Sequence, residues 1–105
     1  MVQRNKLREA LDAGECVIGA RAVTASPVVV DVYGALGLDF VWLDTEHTGY
    51  SPYDSIALNR LVRAARAADV EPFVRIGDAD PAMVRNVLDA GVGTILLPRI
   101  ETAAQ

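Results

Sequence analysis

The stretch PFVRIGDADPAMVRNVLDAGVGTILLP, residues 72–98, contains the unit that decides the fold. An apolar run at its start predicts a strand, and Asp80-Pro81 pairs a capping side chain with a proline suited to the first helical turn. Apolar side chains then recur at helical spacing as far as Gly91, after which 94–98 predicts a second strand. A strand, a helix and a strand joined this way predict a parallel sheet.

The same alternation extends through the rest of the chain. The predicted elements are a helix over 3–13, strands over 17–23, 40–43, 72–76 and 94–98, and helices over 27–36, 54–68 and 81–90. Residues 28–30 are three valines, so a strand is an alternative there. The strands are unbroken apolar runs, as expected when both faces of a sheet are covered.

Four such units predict part of a larger α/β fold. A (β/α)8 barrel needs about 200–250 residues, and this chain has 105. We therefore expect residues 1–105 to form a single partial domain, the N-terminal half of a (β/α)8 TIM barrel preceded by a helix.

Composition argues against several classes of partner. The net charge is −4 and the pI about 4.8, which disfavours nucleic acid and anionic membranes as partners. No apolar stretch approaches the roughly 20 residues of a membrane span, and the N-terminus lacks a signal-peptide pattern. The sequence predicts a cytoplasmic protein whose single cysteine, Cys16, is a buried small residue.

Polar residues follow the predicted strands, where parallel α/β folds bind ligands. His47, the only histidine, comes after Asp44 and Glu46 and could transfer a proton; the alternative is a solvated loop residue. Arg75 lies in an apolar strand and suits a carboxylate or an enolate oxygen. Its alternative role is an ion pair with Asp44 or Asp78.

Other carboxylates have plainer roles. Glu46 and Glu101 could bind a hard divalent cation, but two isolated carboxylates favour salt bridges. Asp80 is explained as a helix cap. The only lysine, Lys6, lies in the first helix, so no Schiff-base lysine is expected at a strand end.

Together, three segments resemble the HpcH/HpaI aldolase family over about residues 5–104. They are Phe40-Val-Trp-Leu-Asp-Thr-Glu-His47, Val74-Arg75 ahead of Asp80-Pro81, and Val87-Leu-Asp-Ala-Gly91 before a strand ending in Pro98. The resemblance implies a metal-dependent class II aldolase that cleaves 4-hydroxy-2-oxo acids or 2-keto-3-deoxy sugar acids to pyruvate and an aldehyde.

The resemblance also implies roles for four residues. His47 matches a base-assisting histidine, Arg75 an arginine that holds pyruvate and its enolate, Asp44 an acid beside the histidine, and Asp89 the aspartate of a His–Asp dyad. Asp89 ends a helix about 13 Å long, on the opposite side of the barrel from His47. We therefore expect Asp89 to act in trans, from a neighbouring subunit of a homo-oligomer; the alternative is a surface residue near the end of a helix.

The implied metal is Mg²⁺ or Mn²⁺, with Co²⁺ or Zn²⁺ as alternatives, and its ligands are expected outside this chain. Glu101 lies in a similar local motif but follows the fourth strand, one strand too early to be a ligand. Two other functions stay open: an acyl-CoA lyase resembling the citrate lyase beta subunit, and a non-catalytic half-barrel that serves as an assembly partner.

Overall fold

The computed structural model describes residues 4–105, which form one four-stranded parallel sheet whose strands alternate with helices. The elements are α1 (Lys6–Asp12), β1 (Gly19–Ala22), α2 (Pro27–Ala35), β2 (Phe40–Asp44), α3 (Ser55–Ala67), β3 (Glu71–Arg75), α4 (Pro81–Asp89) and β4 (Thr94–Leu96). The strands lie in the order β1-β2-β3-β4, and each pairs in parallel with the next. The predicted order of elements is confirmed, except that the start of the predicted first helix, residue 3, lies outside the described residues.

Local signals set the element boundaries. The Asp80 carboxylate accepts a hydrogen bond from the Ala82 amide and caps α4, as predicted. Ser26 occupies the cap position of α2 without a side-chain bond, so Pro27 is the stronger start signal there. The three valines at 28–30 are helical, and the strand alternative is wrong. After α4 the chain turns at Gly91, whose φ of +90° favours glycine.

The hydrophobic core fills the space between the sheet and its helices. One side of the strands supplies Ala22, Val41, Leu43 and Val74, and the helices supply Val30, Leu58, Leu61, Val62, Ala65 and Val87. These helical positions follow the three- and four-residue spacing of a buried stripe.

Helical spacing predicts that Ile56 and Leu88 lie on the apolar sides of their helices and that Arg66 faces solvent, and all three orientations are wrong. Ile56 is 66% exposed, because it lies two residues before the buried Leu58 and so faces away from the core. Leu88 is 52% exposed beside the buried Val87. Arg66, predicted to face solvent, forms an ion pair of 2.9 Å with the fully buried Glu71 at the start of β3.

The prediction that Cys16 is buried is also wrong. It is exposed in the extended segment ahead of β1, because the strand begins only at Gly19 and residues 15–18 have no regular structure. The apolar run predicted this strand correctly, but its predicted start at residue 17 lies two residues before the observed start at Gly19.

The second side of the sheet, called here the open face, is formed by the alternate residues of each strand. The strand register aligns Arg21 with Trp42 and Phe73, and Asp44 with Arg75 and Leu96. The aromatic side chains on this face are only partly buried. The open face therefore lacks the cover that α2, α3 and α4 give the other side, although Leu7 and Leu11 of α1 line a cavity with Phe40 and Phe73.

None of the helices within residues 4–105 is long and apolar enough to cross a membrane. The longest of them, α3, has 13 residues.

Candidate functional site

The mouth of the sheet, meaning the carboxyl ends of the strands and the loops that follow, is organised around Asp44. Asp44 and Arg75 are register partners at the ends of β2 and β3. The arginine donates from Nε to Oδ1 at 3.0 Å and from Nη2 to Oδ2 at 2.5 Å. Two bonds between a planar guanidinium and a carboxylate fix the orientation of both groups.

A second arginine reaches the same carboxylate from β1. Arg21 Nη2 lies 2.6 Å from Asp44 Oδ2, the oxygen that also accepts from Arg75. The guanidinium carbons of Arg75 and Arg21 lie 4.9 and 5.7 Å from the centre of the Trp42 ring. Both distances are within the range of cation–π attraction, so the tryptophan helps to hold both arginines.

The charge of Asp44 is stabilised although its side chain is fully buried. Burial raises the pKa of this carboxyl, but hydrogen bonds from Arg75 and from the Glu46 and His47 amides outweigh it and lower the pKa to about 2. The same hydrogen bond raises the pKa of Arg75. At neutral pH the site therefore holds a carboxylate and a permanent cation.

Asp44 also folds the loop that carries His47. Its Oδ1 accepts from the backbone amides of Glu46 and His47 at 3.0 and 3.2 Å, and its carbonyl accepts from the Thr48 hydroxyl. Thr45 ties the loop to β3 through its hydroxyl, 2.6 Å from the Arg75 carbonyl. These bonds hold the His47 backbone in place.

The imidazole of His47 projects from this loop and is 65% exposed. Its nearest acid is Glu46, whose Oε2 is 3.8 Å from Nε2, too far for a hydrogen bond. Asp44 contacts the backbone of His47 rather than its ring. The Asp44 contact therefore orients the backbone of His47 and leaves its ring exposed.

Glu46 belongs to the same network, as the salt-bridge interpretation predicted. Its Oε2 lies 3.2 Å from Arg75 Nε, and its Oε1 lies 2.7 Å from Arg99 Nη1. The Nη2 of Arg99 donates to the Gly77 carbonyl at 2.7 Å. We call these five charged residues, Arg21, Asp44, Glu46, Arg75 and Arg99, the arginine cluster. Three arginines face two carboxylates, so the cluster carries one surplus positive charge.

Tyr50 is a buried neutral group next to this cluster. Burial of its phenol and the nearby charge of Asp44 raise its pKa to about 12. The side chain is 8% exposed and belongs to the core. Tyr50 is part of the loop between β2 and α3, and its buried side chain anchors that loop to the core.

The described residues do not form a metal centre. Within 4–105, no group of three or more His, Cys, Asp or Glu side chains is placed to hold a metal ion. Asp44 and Glu46 are already neutralised by arginines. Glu101 is exposed beyond β4 and makes its described contact through its backbone amide, with Gln105. Ligands outside these residues remain a prediction.

Asp89 lies apart from the other predicted site residues. It is the last residue of α4 and is exposed, at the edge of the sheet where β4 begins, whereas His47 follows the end of β2. Asp78, the other proposed partner of Arg75, instead accepts a hydrogen bond from the Ala79 amide. The structure thus brings together His47, Arg75 and Asp44 but not Asp89.

Sequence reasoning missed Arg21 and Arg99. Arg21 carries the signal that identified Arg75, a lone arginine within an apolar strand. Arg99 lies three residues after the end of β4 and has a left-handed backbone with φ of +55°, unusual for a residue other than glycine. Its hydrogen bonds to Glu46 and Gly77 accompany this conformation.

Comparison with known proteins places this arrangement in a family. The profile of the HpcH/HpaI aldolase/citrate lyase family matches residues 22–105. The hydroxypyruvate/pyruvate aldolase of Roseovarius nubinhibens is 31% identical over 101 residues, 96% of this chain and 38% of the relative. The 5-keto-4-deoxy-D-glucarate aldolase of Salmonella newport is 34% identical over 98 residues, 93% of this chain and 37% of the relative.

Solved structures agree in fold. The citrate synthase SbnG superposes with a TM-score of 0.83 at 34% identity, covering 90% of this chain and 38% of that protein. The HpcH/HpaI aldolase of Desulfitobacterium hafniense gives 0.83 at 33% identity, covering 93% and 37%. The chain thus spans under two fifths of each of these relatives, and its predicted fold class, part of a (β/α)8 barrel, is confirmed. By sequence and by fold, the chain belongs to the HpcH/HpaI aldolase/citrate lyase family.

Proposed function

We propose that the mouth of this sheet is the pyruvate-binding part of an aldolase that cleaves 4-hydroxy-2-oxo acids or 2-keto-3-deoxy sugar acids to pyruvate and an aldehyde. The single observation that carries the proposal is the state of Arg75. Its Nε and Nη2 are held by Asp44, while Nη1 makes no hydrogen bond within residues 4–105. An oriented cation with unused donors suits an oxygen that becomes negative during the reaction.

In the cleavage direction, the substrate hydroxyl at C4 must lose its proton. His47 is the group available to accept it, since its exposed ring stands at the mouth. The C3–C4 bond then breaks, the aldehyde leaves, and the electron pair forms the enolate of pyruvate. Arg75 stabilises the enolate oxygen, and a proton returned to C3 completes pyruvate.

The family implies a divalent metal, but the carboxylates described here are occupied by arginines and do not fit one. The steps above are therefore assigned only to this chain's own side chains. We propose that the metal ligands lie outside residues 4–105.

Asp89 enters the proposal as a residue from a second subunit. Its exposure at the far end of α4 leaves it accessible to a neighbour and out of reach of His47 in its own chain. We expect a homo-oligomer in which Asp89 of one copy approaches His47 of another. Mixing His47→Ala with Asp89→Ala subunits should then restore part of the activity that each variant lacks.

Exchange of the pyruvate methyl protons with deuterium, followed by NMR with and without Mn²⁺ or Mg²⁺, tests enolate formation directly. We expect at least a tenfold loss of exchange in His47→Ala and Arg75→Lys, because the lysine keeps the charge but loses the planar fork. Asp78→Asn is the matched control outside the cluster. Exchange that persists in both site variants would refute the assignment.

Aldol cleavage itself is measured as pyruvate release from a 4-hydroxy-2-oxo acid. Cleavage of an acyl-CoA thioester such as citryl-CoA or malyl-CoA, without exchange of the pyruvate methyl protons, would support an acyl-CoA lyase instead, which the likeness to the citrate synthase SbnG keeps open. Absence of both reactions in a folded chain, with and without metal, would mean either that the chemistry needs ligands outside residues 4–105 or that the chain is a non-catalytic assembly partner.

A further inference from the structure

The loop that carries His47, residues 45–54 between β2 and α3, is held at both of its ends. At the first end the Asp44 carboxylate accepts hydrogen bonds from the Glu46 and His47 amides. The far end is attached to α4 and its cap rather than to the sheet. The course of the loop therefore depends on α4 as well as on Asp44.

Two side chains make the attachment to α4. Asn86 Nδ2 donates to the Pro52 carbonyl, and the Tyr53 hydroxyl donates to Asp80 Oδ2 at 2.9 Å. The other oxygen of Asp80 accepts from the Ala82 amide at 3.0 Å and caps α4. Asp80 thus holds the loop and the start of the helix at the same time.

Neither of these side chains is needed to fill the core. Tyr53 is 50% exposed, so its ring buries little apolar surface. Asn86 is half-buried, and it is the donor found within residues 4–105 for the carbonyl of the buried Pro52. A buried carbonyl without a donor is unfavourable. Both contacts therefore serve the position of the loop rather than the packing of the core.

The other attachments of the loop leave the His47 ring unfixed. Tyr50 anchors the middle of the loop through apolar packing, which is not directional. The His47 ring lies 3.8 Å from its nearest acid, too far for a hydrogen bond. Hydrogen bonds are directional, so the imidazole depends for its place at the mouth on Asp44 and on the two bonds to α4 and its cap.

We propose that Tyr53 and Asn86 are positioning residues that hold the His47 loop against α4 and keep the imidazole within reach of the substrate hydroxyl. The inference rests on the proposed function, since it concerns the proton transfer assigned to His47. Both residues act through the loop and not by contact with the substrate. Loss of either bond lets the loop sample positions in which the ring has left the mouth.

Hydrogen exchange of the His47 amide, followed by NMR in the whole chain, measures how often the loop opens. Tyr53→Phe removes only the hydroxyl, and Asn86→Ala removes the side-chain donor. We expect each variant to speed the exchange of the His47 amide about fivefold, because one hydrogen bond of ordinary net strength changes an opening equilibrium by about that factor.

Each variant has a matched control elsewhere in the chain. Tyr33→Phe removes a hydroxyl that donates to the Arg21 carbonyl, also at 2.9 Å. Asn59→Ala removes a side-chain amide that donates to the Ser55 carbonyl at 2.7 Å. Both controls leave the contacts between the loop and α4 intact, so the exchange of the His47 amide should stay within about twofold of the wild-type rate. Circular dichroism checks that every variant is folded.

The cleavage assay separates a positioning role from a general loss of stability. Tyr53→Phe and Asn86→Ala should each lower kcat about fivefold and leave KM within about twofold, because Arg75 and Asp44, which bind the pyruvate part, are unchanged. A merely structural role would not separate kcat from KM in this way.

The outcomes distinguish this inference from the proposed function. Unchanged exchange at His47 in both variants, or an equal change in the matched controls, would overturn the positioning role. Faster exchange with kcat unchanged would overturn it as well. A chain that cleaves no substrate, but whose His47 amide responds as expected, would count against the proposed function and support the hold of α4 on the loop.

Discussion

Asp44→Asn is the most informative single change at the mouth. The Asp44 side chain is fully buried and holds both Arg75 and Arg21. Asparagine keeps the size of the side chain but replaces one acceptor oxygen with an NH₂ group, which cannot accept from a guanidinium. The substitution therefore removes a charge and places donors against donors.

The pKa gives the size of the effect. The carboxyl titrates at about 2 in the folded chain against a reference value of 3.8. Each pKa unit corresponds to about 1.4 kcal/mol, so ionised Asp44 stabilises the fold by about 2 kcal/mol. Because the folded pKa is depressed, this stability is fully present above about pH 4 and is lost as the pH falls towards 2.

The assay is urea unfolding of the wild-type chain and of Asp44→Asn at pH 7, 5 and 3, followed by far-ultraviolet circular dichroism. We expect the variant to unfold about 2 kcal/mol more easily at pH 7 and 5, with about half of that gap remaining at pH 3. Asp78→Asn, an exposed aspartate outside the network, is the control and should change stability little. A gap that does not depend on pH, or that equals the control's, would refute the argument.

Three other predictions follow from single features of the fold. Gly34→Ala should destabilise the chain by about 1–3 kcal/mol in thermal or urea unfolding, because a Cβ there would lie 2.5 Å from the Ala68 Cβ and 2.6 Å from its carbonyl oxygen; Gly49→Ala, with open space around it, should be close to neutral. Cys16 should react with Ellman's reagent in the native chain as fast as in urea, since it is exposed, and slow native labelling would contradict its placement. Burial raises the pKa of Tyr50 from 10.0 to about 12, so unfolding should become easier as the pH rises from 10 towards 12, and Tyr50→Phe should lessen that dependence; equal pH profiles would contradict it.

Most of the fold could be predicted from the sequence because its strands are apolar runs and its helices begin at recognisable caps. Asp80-Pro81 is the clearest case, since cap and proline together fixed the start of α4 to the residue. Errors arose where a local pattern has two solutions. Leu88 lies near the edge of a helical stripe, where only packing decides what the core accepts, whereas Ile56 lies on the side of α3 opposite the buried Leu58.

The candidate site was predictable in part. Position at a strand end was enough to identify Asp44 and Arg75, and the register of β2 with β3 makes them partners. The role of Arg21 could not be predicted from β1 alone. It depends on the carboxylate of Asp44, 23 positions further along the chain, which lies next to Arg21 only when the sheet forms. Asp89 stays a prediction, since its proposed partner belongs to another copy of the chain.

The arginine cluster and the open face are two consequences of one geometry. Because α2, α3 and α4 cover one side of this parallel sheet, the residues that alternate along each strand leave the other face uncovered towards the carboxyl ends of the strands. Near the start of β2 and in β3 that face presents Phe40 and Phe73, packed edge to face at 5.4 Å, and towards the carboxyl ends it changes to Trp42 and then to Asp44 and Arg75. The charged residues are held by one another and by Trp42, and not by residues facing them across a closed barrel. The mouth therefore keeps its geometry while the face that would bind a substrate stays open. An oriented cation with free donors on such a surface can meet a carboxylate or an enolate without first breaking its own ion pairs, which is the property that the proposed reaction requires.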